Sequence, residues 1–264
     1  MIPGSEVLKH IRWGVDNIRD YRRNDYFRIT PKFLFSELIS KSTRIAHYED
    51  FSKYKENLRI EMFSPEEKTA IASAREFALR EFKGIPDMTR FDLMDFAISN
   101  VDIDGIWLEF GVFMGKSINH IARTTEKTIH GFDSFNGLPE DWNRFFSRGH
   151  FSLESKLPKV ASNVKLHAGW FTDTLPTFKE EIENAPIAFI HIDCDLYSST
   201  KVVFTQLKEN IVPGTVILFD EFYNYPEWVD HEYKAFNEFI RSAGLSFRYI
   251  GYNSKAEQVA VVIA

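Results

Sequence analysis

The residues best suited to chemistry in this chain are carboxylates that close short apolar runs: Glu109, Asp133, Asp193, Asp195, Asp220 and Glu221. Carboxylates drawn together cannot all stay ionised unless a cation neutralises them or their pKa values rise. Asp193 and Asp220 end two successive runs, so in a parallel sheet they would converge. With Glu221 they form an all-oxygen set, which selects a hard ion such as Mg2+ or Ca2+, or Mn2+, over zinc. The plainer alternative is that Asp220 and Glu221 cap the following segment and Asp195 starts a turn.

A second feature is the loop from Glu109 through Gly111 to Gly115, an acidic-x-Gly-x-x-x-Gly pattern. Glycine lets the backbone turn sharply and approach a ligand closely, and a helix N-terminus beyond it favours anionic groups. Taken alone, the pattern equally describes a turn required only for tight strand-to-helix packing. Gly115-Lys116-Ser117 raises a rival reading, a nucleotide phosphotransferase. A phosphate loop, however, places four residues between its glycine and the Gly-Lys-Ser, and here only three separate Gly111 from Gly115. Glu109 would also repel phosphates. Asp133 follows the Gly loop by about 20 residues, the distance at which an acid at a strand end accepts hydrogen bonds from ribose hydroxyls; the plainer alternative is an Asp that caps the next turn.

The elements needed to hold these residues can be read from periodicity. Apolar runs at 105–109, 128–133, 164–168, 187–193 and 215–220 read as strands. Helical segments at 117–124, 199–211 and 230–243 lie between or after them, and strands at 246–252 and 258–263 close the chain. Strands alternating with helices imply a Rossmann-like, doubly wound α/β sheet, mostly parallel with an antiparallel C-terminal strand, and ligands in such sheets sit at the carboxyl ends of the strands. Residues 1–100 read instead as an N-terminal helical region that packs on the core, covers the substrate or contacts a second copy; residues 101–264 form the catalytic domain. In the former, Val7 to Ile18 and Phe33 to Ile39 suggest short amphipathic helices. Ser64-Pro65-Glu66-Glu67 opens a longer helix, and Thr89 caps another whose inward face is Phe91, Met94, Phe96, Ala97 and Ile98.

Bulk composition excludes several classes. The net charge is −6 with no basic block, against the basic face that nucleic-acid binding needs. No apolar stretch reaches the roughly 18 residues of a membrane span. One cysteine, Cys194, rules out a disulfide framework within the chain, and a cytoplasmic location is expected. Phe is unusually abundant at 25 residues, enough to fill a core and still line a pocket for flat ligands.

Five ordered blocks carry a resemblance: LEFGVFMG at 108–115, FDSFNGLP at 132–139, GWFTDTLP at 169–176, HIDCDLYSST at 191–200 and VPGTVILFDEF at 212–222. Together they resemble the macrocin O-methyltransferase family, class I enzymes that use S-adenosyl-L-methionine and Mg2+ to methylate sugar hydroxyls on natural products. The resemblance implies that Glu109 and Gly111, with Gly115, Lys116 and Ser117 completing the loop, line the methionine part of the cofactor. Asp133 would hold the ribose, Ser134 with Gly169 and Trp170 would flank the adenine, and Asp193 would serve cofactor, metal and catalysis. Asp193, Asp220 and Glu221 would bind the metal, although Glu221 stands where the family usually has Asp. Lys116 stands where the family commonly has Gly and would add a charge near the cofactor carboxylate. The implied acceptor is a small hydroxyl compound, a glycoside or similar, held by the aromatic loops at about 139–160 and 222–232, which also carry Arg144, Arg148 and His150. For a general base the residues leave three choices, His231, Asp195 and Tyr197. The aromatic N-terminal region suits contact with a second copy, as a homo-oligomer would make. A catalytically silent Rossmann-like scaffold is the remaining alternative, and it has no need of convergent acids.

Overall fold

The computed structural model describes residues 63–264; the short helices expected around residues 7–18 and 33–39 lie outside the described residues. Among the described residues, seven strands form one sheet: β1 Ile106–Phe110, β2 Ile129–Asp133, β3 Val164–Ala168, β4 Ile187–Ile192, β5 Val216–Phe219, β6 Phe247–Tyr252 and β7 Val259–Ile263. Their order is β3-β2-β1-β4-β5-β7-β6. Strands β1 to β5 pair in parallel, while β7 inserts antiparallel between β5 and β6. This is the Rossmann-like doubly wound sheet with an antiparallel strand near its C-terminal edge. The central strands read as uninterrupted apolar runs because both sheet faces are covered; every residue of β4 is buried.

The helices are α1 Pro65–Glu81, α2 Arg90–Ser99, α3 Lys116–Ala122, α4 Phe171–Ile182, α5 Tyr197–Gln206 and α6 Glu232–Ala243, with a 3-10 turn at Trp228–Asp230. Two cores result. On one face, Leu93, Met94 and Ala97 of α2 and Ile118 and Ile121 of α3 pack on Trp107, Phe189, Val216 and Leu218. On the other, Phe178 of α4, Phe204 of α5 and Phe236 and Phe239 of α6 pack on Phe110, Phe132 and Phe219. Phe77 and Phe82 join this second core, which absorbs much of the phenylalanine surplus. Thus α1 and α2 belong to the same compact unit, Pro65–Ala264, as the sheet.

Two local outcomes differ from the periodicity. Helix α4 has no counterpart among the sequence expectations, because Pro176 inside it reads as a breaker; Leu175 and Phe178 hold it on the sheet nonetheless. Thr89 occupies the N-cap position of α2, but its hydroxyl donates to the Asp92 carboxylate rather than capping a backbone N–H.

The chain runs outward from β1 through β2 to β3, then crosses back to β4 and β5. The crevice outside the carboxyl ends of β1 and β4 is therefore the switch point at which such sheets bind ligands.

Candidate active site

The Gly loop after β1 is built around two close approaches. Gly111 adopts φ +91°, and a Cβ there would stand 1.6 Å from the Asp193 carbonyl oxygen. Its N–H donates to the Phe132 carbonyl at 3.0 Å, while the Asp193 N–H donates to the Phe110 carbonyl at 2.8 Å. The end of β1 is thereby stitched between β2 and β4. Gly115, at φ +78°, turns the chain into α3.

Asp133 braces this loop. Its Oδ2 accepts from the Val112 N–H at 2.9 Å and the Phe113 N–H at 2.7 Å, and Oδ1 accepts from Phe135 N–H at 2.7 Å. A carboxylate offers about four acceptor sites, so three are filled and one is left for a ligand hydroxyl. The Gly169 N–H donates to the Asp133 carbonyl at 3.0 Å, which brings Trp170, 39% exposed at the start of α4, to the same strand end. Ser134 is occupied in its own turn, accepting from the Asn136 N–H.

Glu109 is buried in a polar chain beneath the loop. Its Oε1 accepts the Ser117 hydroxyl at 3.0 Å, and Oε2 shares a hydrogen bond with His191 Nδ1 at 3.0 Å. Ser117 is thus spent inside the fold, and the Lys116 ammonium lies over the Phe91 ring, 5.1 Å from its centre. Neither reaches into the loop as a phosphate ligand would. His191 escaped the sequence reading. Part of its signal was available, since it stands two residues before Asp193 on the same strand face; its register with Glu109 comes from the pairing of β1 and β4.

At the ends of β4 and β5 the acids converge as expected, but around a partner that the sequence did not reveal. Arg90, the first residue of α2, sets one guanidinium nitrogen, Nη2, 3.0 Å from Asp193 Oδ2 and 2.9 Å from Asp220 Oδ2. Burial opposes the Arg90 charge, and the surrounding carboxylates, Asp220 and Asp193 ahead of Glu221 and Glu109, together outweigh it and raise its pKa. Gln258 donates to the other Asp220 oxygen at 3.2 Å. Among the described residues, donor atoms of His191, Asp193 and Asp220 lie within 4.8 Å of one another, a spacing that fits a single cation. His191 Nε2 is buried without a hydrogen-bond partner, as a nitrogen reserved for a ligand would be. Glu221 is not part of that set. Its N–H donates to Glu232 at 3.2 Å, and one buried carboxylate oxygen, Oε2, has no hydrogen-bond partner. Burial, with the Asp220 charge next, pushes Asp193 and Glu221 well above the usual carboxylate range.

The three base choices separate clearly. Asp195 is buried in a positive-φ turn (φ +63°), and burial, with Asp220 and Asp133 nearby, pushes it up to about 7. His231 Nδ1 accepts the Tyr197 N–H at 3.3 Å, so its neutral ring carries the proton on Nε2 and can only donate there. The Tyr197 hydroxyl donates to Glu238 at 2.7 Å, toward α6 and away from the strand ends.

The acceptor loops form a continuous aromatic wall. Phe113 of the Gly loop meets Phe151, Phe151 stacks on Phe146, Phe146 on Trp142, and Trp142 meets Tyr225 and His231 edge-on. The Trp142 Nε1–H is buried with no acceptor. Arg144 turns back to Glu67 at 3.1 Å, and the Arg148 N–H binds the Asp141 carboxylate.

Residues 108–222 match a family model described as a methyltransferase domain. The chain is 27% identical to the 8-demethyl-8-(2,3-dimethoxy-alpha-L-rhamnosyl)-tetracenomycin-C 4'-O-methyltransferase of Streptomyces olivaceus, over 51% of this chain and 60% of that protein. It is also 27% identical to the demethyldecarbamoylnovobiocin O-methyltransferase of Streptomyces niveus, over 50% of this chain and 56% of the other. The matches therefore span less than two thirds of either relative. Among solved structures, a calicheamicin methyltransferase aligns with TM-score 0.53 at 19% identity, over 90% of this chain and 95% of its own. The O-methyltransferase NovP aligns with TM-score 0.52 at 20% identity, over 66% and 78%. From β1 through β5 the chain is similar in sequence to a methyltransferase domain, and the sheet that carries it has the fold of these two enzymes.

Proposed function

We propose that this chain transfers the methyl group of S-adenosylmethionine to a hydroxyl of a sugar or another small natural product. The observation that carries this reading is the strand-end cradle: the Gly111 crossing lies at the switch point of the sheet, and the Asp133-braced loop and exposed Trp170 stand beside it at the ends of β2 and β3. One free lone pair on Asp133 suits a ribose hydroxyl, and the Trp170 face suits an adenine. The matching methyltransferase domain model and the two O-methyltransferase relatives, one acting on a rhamnosyl compound, support the donor and the acceptor class.

Bound there, the cofactor would supply an electrophilic methyl on a sulfonium, with the neutral thioether as leaving group. The protein must then position an acceptor oxygen about 3 Å from the methyl carbon and exclude water. The wall from Phe113 to Trp142 offers flat apolar faces for a sugar ring, and the Trp142 N–H can donate to one of its oxygens. His191, Asp193 and Asp220 fit a divalent cation, which would lower the acceptor hydroxyl pKa. The imidazole among these donors suits Mn2+ or Fe2+ better than an all-oxygen site would, and Mg2+ remains the family expectation. Glu221 lies beside this set as a further carboxylate. Asp195 takes the acceptor proton, since His231 and Tyr197 are committed elsewhere.

Calorimetry with S-adenosylhomocysteine tests the donor: wild type should bind and Asp133→Ala should not. Unchanged affinity in the variant would sink the ribose assignment. Turnover of sugar acceptors should fall in excess chelator, and full activity there would remove the metal from the reading. A phosphotransferase would bind ATP instead, a reading disfavoured by the positions of Lys116 and Ser117.

A further inference from the structure

The Arg90 guanidinium occupies the space between the carboxylates that would hold the cation. We propose that Arg90 is a built-in counter-cation of the Asp193–Asp220 pair, exclusive with a divalent ion, so that metal binding requires Arg90 to swing out. This inference rests on the metal reading above.

Three observations make Arg90 a releasable partner. First, its hold is narrow: a single nitrogen, Nη2, serves both carboxylates, rather than a two-pronged fork on either. A fork would supply two parallel hydrogen bonds to one carboxylate and much stronger fixation. Second, Arg90 Nε is buried without a partner, which leaves part of the guanidinium desolvated and uncompensated. Third, its side chain remains 40% exposed, against 22% for Asp193 and 6% for Asp220. Arg90 is also the first residue of α2, so its side chain can rotate toward solvent with the helix still seated through Leu93, Met94 and Ala97.

The electrostatics require one cation or the other. With Arg90 withdrawn and no metal, two adjacent carboxylates would face each other beside Asp195 and Glu221, and such a cluster holds a proton or recruits a cation. With Arg90 in place, a divalent ion would meet a positive charge within hydrogen-bond reach of two of its ligands. His191 Nε2, which has no hydrogen-bond partner while Arg90 bridges the pair, is the remaining donor that a metal would gain.

The test uses purified full-length protein freed of metal, with Mn2+ as the probe, followed by calorimetry and by the electron paramagnetic resonance of free Mn2+. Breaking the charge-assisted hydrogen bond to Asp193 and the ion pair with Asp220 weakens metal binding in wild type, so Arg90→Gln is expected to bind Mn2+ at least about ten-fold more tightly. A merely structural arginine would not produce that gain. Arg90→Lys, which keeps the charge on a freely hydrated ammonium, should fall between the two. It also supplies the readout if Arg90→Gln is too unstable to purify. Equal or weaker Mn2+ affinity in the purified variant overturns the competition. If wild type and variants alike fail to bind Mn2+, the metal reading itself falls and takes this inference with it.

Discussion

Replacing Gly111 by alanine places a methyl carbon 1.6 Å from the Asp193 carbonyl oxygen. Ordinary C···O contact begins at about 3.3 Å, so the ends of β1 and β4 must part by roughly 1.7 Å. Two hydrogen bonds flank the crossing, Asp193 N–H to Phe110 and Gly111 N–H to Phe132, at 2.8 and 3.0 Å. A displacement of that size breaks both, at about 1 kcal/mol each. The positive φ adds about 1 kcal/mol for a residue with a Cβ. Residual overpacking contributes about 1 kcal/mol more, so the total is about 4 kcal/mol. Gly115→Ala is the internal control. Its φ is also positive, at +78°, yet the new carbon's nearest neighbours would be two side-chain tips, at 3.3 and 3.4 Å, with the Lys159 carbonyl oxygen at an ordinary 3.6 Å. It should lose only the roughly 1 kcal/mol due to φ. For a domain of this size 1 kcal/mol shifts Tm by about 2–4 °C, so Gly111→Ala should melt about 8–16 °C lower and Gly115→Ala about 2–4 °C lower. Differential scanning calorimetry reads both. Equal shifts in the two variants would show that the β1–β4 crossing is not as tight as this geometry requires.

Other outcomes follow from the same site. Trp142→Phe removes a buried N–H that faces no protein acceptor, and acceptor KM should rise about five- to ten-fold with cofactor affinity unchanged, as steady-state kinetics against calorimetry will show. Asp195→Asn should lower kcat by at least about 100-fold, whereas Tyr197→Phe should keep kcat within a few-fold; the reverse ranking would move the base to Tyr197. The neutral His130 ring is favoured in the fold because burial, then His167 and Lys165, push its pKa down to about 4. The unfolded chain binds that proton near pH 6.5, so this stability is complete above about 6.5 and lost as pH falls toward 4. Unfolding free energies from urea titrations should drop across that window, by no more than about 1 kcal/mol for this partly buried ring, and His130→Gln should flatten the drop.

The sheet was legible because each strand is a short apolar run bounded by turn residues, and burial on both faces leaves that run uninterrupted. Every strand expectation lies within two residues of the observed strand. Helix α4 was not legible, since Pro176 is a local signal against a helix while the packing of Leu175 and Phe178 is not local at all. The strand-end acids were readable for a similar reason. Alternation places Asp193 and Asp220 at neighbouring carboxyl ends whatever else surrounds them. Spacing puts Asp133 at the end of β2, where the structure has it, but not its partners: three backbone N–H groups donate to it, which no spacing rule foretells.

From the sequence alone, then, come the doubly wound sheet, the Gly loop at its switch point and the carboxylates gathered beyond β4 and β5. Only the tertiary structure decided which of these groups are free. Register along β1 and β4 sets Glu109 on His191, and helix α2 delivers Arg90 across 103 residues of chain onto Asp193. Periodicity is a property of neighbours in sequence. The partner of a buried charge is chosen by the register and packing of distant segments, because a desolvated group must be satisfied by whatever the fold brings within about 3 Å.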